Sequence, residues 1–175
     1  MPSSGRSETR SSAETGDLVI MASGPAEMHE RLETIFDAIG KRSMWVGEAG
    51  TATRLKLATN SWILAVVEGV AETLALAEGL GLDPRLVLEA VKGGPLDLPY
   101  LQMKGNAIIE RKFEPSFKLA LAAKDAALVE DSAKRRDLEL PLVSVIRERF
   151  EQGKAEHGDK DMSATYLTSA SVRAA

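Results

Sequence analysis

Between Gly50 and about Leu80 the sequence carries one long helical pattern, and no other stretch constrains the fold as much. Leu55, Ala58, Trp62, Ile63, Val66, Val70, Leu74 and Ala77 recur at helical spacing. A helix of that extent is roughly 45 Å long. Downstream, every segment is helical as well. Gly81 is a stop, and Asp83-Pro84 restarts a short helix that runs through Val91. Gly93-Gly94-Pro95 breaks it. Further helices are expected from Pro99 to about Lys112, from Ser116 to Asp137 and from Pro141 to about His157, with one or two last turns in DKDMSATYL (159–167). The fold class is mainly α, a helical bundle around one long helix.

The upstream part has a different texture. Residues 1–16 are rich in Ser, Thr and charge and read as a flexible arm. LVIMA (18–22) and SMWVG (43–47) read as short strands. Between them Pro25 opens a helix with Met28, Leu32, Ile35, Phe36 and Ile39 on one face, and Gly40 ends it. Two strands do not make an independent sheet. Residues 17–47 therefore read as the β-α-β remnant of a larger sheet, 48–168 as the helical domain and 169–175 as a tail. That order leads to the expectation that something upstream is missing.

Charge and composition exclude several classes. A net charge of −4 gives no basic footprint for nucleic acid. The one basic run, Lys134-Arg135-Arg136, fits a helix C-terminus, where cations complement the dipole. The absence of cysteine rules out disulfides and thiolate catalysis. The first residues show no apolar signal region, and Arg54, Lys56, Asn60 and Glu68 interrupt the best candidate for a membrane span. A cytoplasmic location is expected.

Most catalytic constellations fail on inspection. His29 falls among Glu27, Glu30 and Arg31 and is expected on a solvated face. His157, Asp159 and Asp161 could approach a metal, but the segment lacks the Gly and Glu of a calcium loop, so a solvated loop is expected. There is no G-x-S-x-G, H-E-x-x-H, P-loop or G-x-G-x-x-G, and Gly79-Leu80-Gly81 ends a helix instead of following a strand. Within TRLKLATNSW (53–62), Lys56 and Asn60 lie four residues apart and share a helix face. They are either a solvated face or a site. An ammonium that is partly buried near a helix N-terminus is disfavoured, which suits acid–base work, and an amide one turn on can orient a substrate. Lys124-Asp125, within the apolar run from Leu119 to Leu128, is a second candidate or a surface pair.

GEAGTATRLKLATNSW resembles the G-x-G-x-x-x-K-x-x-x-N segment of the β-hydroxyacid dehydrogenases. That family includes 3-hydroxyisobutyrate dehydrogenase, tartronate semialdehyde reductase and 6-phosphogluconate dehydrogenase relatives. ETLALAEGLGLDP, the Gly-Gly-Pro turn, FEPSFKLALAAKDAALVEDSAKR, ELPLVSVIRERF and HGDKDMSA continue the resemblance in order over residues 16–165. The resemblance implies a helical domain like the C-terminal domain of 6-phosphogluconate dehydrogenase. By the same resemblance Lys56 is the catalytic acid/base, Asn60 the substrate-orienting amide, and Gly50 a close backbone approach to substrate. It also makes Lys124 a contact to the nicotinamide of NAD or NADP, with Asp125 orienting its neighbours. The implied reaction is hydride transfer to or from a small 3-hydroxy acid, in a homo-oligomer such as a dimer.

Three departures stand out. Ala52 replaces the segment's second glycine, and the family's Ser-Gly loop has only Ser4-Gly5 or Ser7-Glu8 as candidates. The glycine-rich dinucleotide-binding half is not in the sequence, so the chain alone is expected to be inactive. The competing expectation is a non-enzymatic helical dimerisation or binding module derived from that family.

Overall fold

The computed structural model describes residues 18–170. Strands β1 (Val19–Ala22) and β2 (Arg42–Trp45) pair in parallel, with Val19 opposite Arg42 and Ala22 opposite Trp45. Parallel strands need a crossover, and α1 (Glu27–Ile39) supplies it. The apolar face expected on α1 is largely uncovered: none of its residues is buried, and Ile35 and Ile39 are about half exposed. A two-stranded sheet is too narrow to cover a helix of this length. His29 is not simply solvated as expected. It stacks on Trp45 with ring centroids 4.9 Å apart.

Helix α2 (Thr51–Gly79) is 29 residues long and follows Gly50, whose φ of +87° is the left-handed conformation glycine adopts without steric cost. The Ala52 N–H donates to Ser23 Oγ at 3.1 Å, which ties the start of the helix to the end of β1. Burial begins only halfway along. Leu64, Val67, Val70, Ala71, Leu74 and Ala77 face the core, whereas Trp62, grouped with them by spacing, is 63% exposed. No described element covers its side of the helix, and it walls an apolar groove with Val66, Leu96 and Leu98.

Helices α3 (Arg85–Val91), α4 (Pro99–Ile109), α5 (Leu119–Lys134) and α6 (Pro141–His157) follow, then a 3-10 turn (Met162–Thr165) and α7 (Tyr166–Ala170). Two of these are shorter than the pattern predicts. At the end of α4, Arg111 turns left-handed (φ 56°) and its guanidinium donates to Glu78 at 2.9 Å. Helix α5 starts at Leu119 instead of Ser116 because Lys118 is extended (ψ 140°) and the Phe117 carbonyl, which a helix would turn to its own chain, accepts from the Met162 N–H at 2.8 Å.

The core forms where α5 packs on α2 and α6. Ala122, Ala123 and Ala126 are fully buried against Leu64, Val67, Ile146 and Phe150. Small residues on α5 let the helices approach closely. Gly153 on α6 serves the same end, since a Cβ there would meet Thr168 Oγ1 at 2.7 Å. Glu68 is the one acid buried on α2, accepting from Thr165 Oγ1 at 2.6 Å and Arg149 Nε at 3.3 Å. Burial raises its carboxyl above the usual range despite those donors. Among the described residues no helix is long and apolar enough to cross a membrane.

Candidate active site

The exposed half of α2 runs beside the start of α5, and a cleft of about 350 Å³ opens between them. Lys56 and Asn60 both line it, with Tyr100 from α4, Ser116 and Phe117 from the loop before α5, and Asp125. Asn60 Nδ2 donates to Asp125 Oδ2 at 2.9 Å, which fixes the amide orientation. The amide oxygen and second N–H then remain for a bound hydroxyl or carboxylate. Lys56 itself is exposed, not partly buried as expected.

The other two candidates do not line the cleft. Lys124 is 63% exposed and sits 3.7 Å from Asp125 Oδ1. Gly50 precedes Lys56 by six residues, roughly 9 Å along the helix. The pair Ser4-Gly5 and the alternative Ser7-Glu8 lie outside the described residues.

Behind the cleft is a buried ion pair that the sequence did not announce. Lys104 Nζ lies 3.1 Å from both oxygens of Asp161, and each residue is 3% exposed. Asp161 also accepts from the backbone N–H of Ser116 (3.0 Å), Phe117 (3.2 Å) and Ser163 (3.0 Å), and from the hydroxyls of Ser116 (2.7 Å) and Ser163 (2.8 Å). Burial pushes this carboxyl up, but the Lys104 charge and the serine donors reverse that and hold it below the usual carboxylate range. Asp161 is therefore not part of a solvated loop; it holds the segment that brings Ser116 and Phe117 to the cleft. Nor does it join His157 and Asp159, because Asp159 pairs instead with Lys118 at 2.6 Å. A lone lysine in the apolar stretch of α4 was the one sequence signal for this pair.

Dinucleotides are gripped by unused N–H groups at a helix N-terminus. The start of α2 offers a strand, two positive-φ glycines (Gly47 and Gly50) and then a helix. Its first donors are already committed, Thr51 N–H to Glu48 O at 3.1 Å and Ala52 N–H to Ser23. The turn does not fit a pyrophosphate cradle.

Residues 50–168 match the family model described as NAD-binding of NADP-dependent 3-hydroxyisobutyrate dehydrogenase, and residues 1–47 match the NAD binding domain of 6-phosphogluconate dehydrogenase. The chain belongs to the 3-hydroxyisobutyrate dehydrogenase-like family of β-hydroxyacid dehydrogenases. Within that family it is 34% identical over 148 residues to 2-hydroxy-3-oxopropionate reductase of Escherichia coli (strain K12), covering 85% of this chain and 51% of that one. It is 32% identical over 160 residues to cytokine-like nuclear factor N-PAC of Aedes aegypti, covering 91% of this chain and 29% of the relative. The fold matches 3-hydroxyisobutyrate dehydrogenase from Salmonella typhimurium with a TM-score of 0.82 at 23% identity, over 90% of this chain and 56% of that one. The chain thus spans about half the length of the family's reductases that it matches, and less than a third of N-PAC.

Proposed function

We propose that the chain supplies the helical, substrate-contacting part of an NAD(P)-dependent oxidoreductase acting on a small 3-hydroxy acid. The observation that carries this reading is the joint placement of Lys56, Asn60 and Asp125 on one cleft, within a segment that matches the family. When bound, a nicotinamide cofactor supplies or accepts the hydride. Lys56 Nζ takes the hydroxyl proton as the carbonyl forms, and returns it in the reverse direction. Asn60, held by Asp125, orients the hydroxy acid, and Phe117, Tyr100 and Met162 shape the apolar walls of the cleft. Lys124, exposed beside Asp125 and outside the cleft, would contact the cofactor by the family resemblance.

The chain on its own is expected to bind NAD(P)H no tighter than about millimolar. Single charge-assisted contacts are worth roughly 1.5–3 kcal/mol, whereas micromolar affinity needs about 8 kcal/mol. Calorimetry with NADPH checks this. Fusing a glycine-rich dinucleotide-binding domain in frame should bring both binding and reduction of 2-hydroxy-3-oxopropionate, the compound named in the Escherichia coli relative. Micromolar binding to the unfused chain would overturn the division of labour proposed here.

The second reading is a non-enzymatic helical binding module. It is favoured by the N-PAC relatives, whose name carries no reaction. A fusion that binds NADPH but turns over none of the family's hydroxy acids would support it.

Under either reading a second copy of the chain is the proposed partner. The groove beside Trp62 is apolar, about 370 Å³, and rimmed by Leu96, which is 68% exposed. Burying such a surface favours a closed symmetric dimer. Sedimentation at tens of micromolar should show twice 18.8 kDa, and Trp62→Glu should shift the population to monomer. A wild-type chain that sediments only as monomer rejects the dimer.

A further inference from the structure

On another face of α2 from the cleft, a second concavity of about 520 Å³ lies between the first turns of α2 and the last turn of α5. It shares no lining residue with the cleft. Three arginines, Arg54, Arg135 and Arg136, line it, and no Asp or Glu does. In a chain of net charge −4 this is a local reversal of sign.

The arginines are not consumed by the fold. Arg54 donates to a neutral partner, Thr51 Oγ1, at 2.8 Å. The adjacent Lys134 is taken up by Glu130 at 3.2 Å, whereas Arg135 and Arg136 have no carboxylate within ion-pair distance among the described residues. A role at the helix terminus explains part of the basic run, but not why two of its members flank a hollow. Asp137 contributes to that placement. Its left-handed φ of 55° ends α5, and the Leu138 N–H closes back on Ala133 O at 3.1 Å, turning the chain so that Leu138 and Leu140 form the far wall. Leu57 from α2 and the buried Val129 from α5 make the remaining walls mainly apolar, with Ser61 and Ser132 the two hydroxyl-bearing residues among them.

Three cations around an apolar pocket match one ligand chemistry. We infer that this pocket binds a small organic anion: a carboxylate or comparable oxyanion joined to an aliphatic or aromatic body. The guanidinium forks hold the oxyanion, bidentate geometry being what arginine provides and lysine does not. The body rests on Leu57, Val129 and Leu140. This site is independent of the reading of Lys56 and Asn60, and it stands whether or not the cleft is catalytic.

Octanoate is a suitable probe, with octan-1-ol as its neutral counterpart and inorganic phosphate as an anion without a body. Calorimetry on the 175-residue chain should show saturable octanoate binding below a millimolar, with octan-1-ol and phosphate each at least tenfold weaker. Arg135→Gln/Arg136→Gln should weaken octanoate at least tenfold. Both side chains are exposed, so the variant's thermal unfolding should match wild type, which separates a lost site from a lost fold. Octan-1-ol or phosphate binding as tightly as octanoate, or unchanged octanoate affinity in the double variant, would overturn the assignment.

Discussion

Lys56→Ala is expected to lower kcat by roughly 10²–10⁴-fold in an enzyme assembled around this chain, the scale of a lost acid–base group. Lys56 is exposed where α2 meets the cleft, so truncating it removes no core packing, and the variant should fold as wild type does. Lys56→Arg makes the stricter test. Arginine keeps the positive charge and the reach but does not release a proton in proteins. If the lysine only attracts an acidic substrate, the arginine variant should retain most of the rate. If the lysine moves the hydroxyl proton, it should be nearly as slow as alanine. Near-normal kcat for Lys56→Ala at neutral pH would show that the acid/base is another residue.

The long helix was legible because its signal is local and repeated. Apolar residues at helical spacing from Leu55 to Ala77 mark the helix, and the glycines at either end mark its limits. Of that set Val70, Leu74 and Ala77 are buried, whereas Leu64 and Val67 face the core in place of Ile63 and Val66. The Lys56–Asn60 pairing was legible for the same reason, since four-residue spacing on a helix fixes proximity whatever the rest of the chain does. Helix ends were legible only where the chain itself decides them. Pro141 opens α6 as expected. The start of α5 was not legible, because the Met162 N–H, far along the chain, takes the Phe117 carbonyl and leaves Lys118 extended. Asp125 was readable only as the neighbour of Lys124, whereas its contact to Asn60 spans 65 positions. Trp62 shows the opposite limit. Its spacing puts it with the core positions, but burial also requires a partner surface, and helical periodicity does not report whether one exists.

Asp161→Asn should destabilise the chain by about 3–5 kcal/mol at neutral pH, the cost of breaking a buried ion pair by removing one charge. Asparagine is nearly isosteric, so no cavity forms. It removes the Asp161 charge from beside the Lys104 ammonium, which is 3% exposed, and it weakens the acceptor for the Ser116, Phe117 and Ser163 N–H groups. The pH dependence follows from the lowered carboxyl of Asp161. A carboxyl whose folded value lies below its unfolded one adds stability that is complete above the unfolded value, about 3.9. That stability is lost as pH falls through the folded value. Wild type and variant should therefore differ most near pH 7, the difference should begin to shrink below about pH 4, and it should vanish only once the pH has passed below the lowered folded value of Asp161. Denaturant unfolding at pH 7 and through a series of pH values below about 4 measures both arms. Adding Lys104→Met to Asp161→Asn should recover part of the loss, because the buried ammonium is then removed as well. Equal stability of Asp161→Asn and wild type at pH 7 would show that the hydrogen bonds, not the charge, hold Ser116 and Phe117 at the cleft.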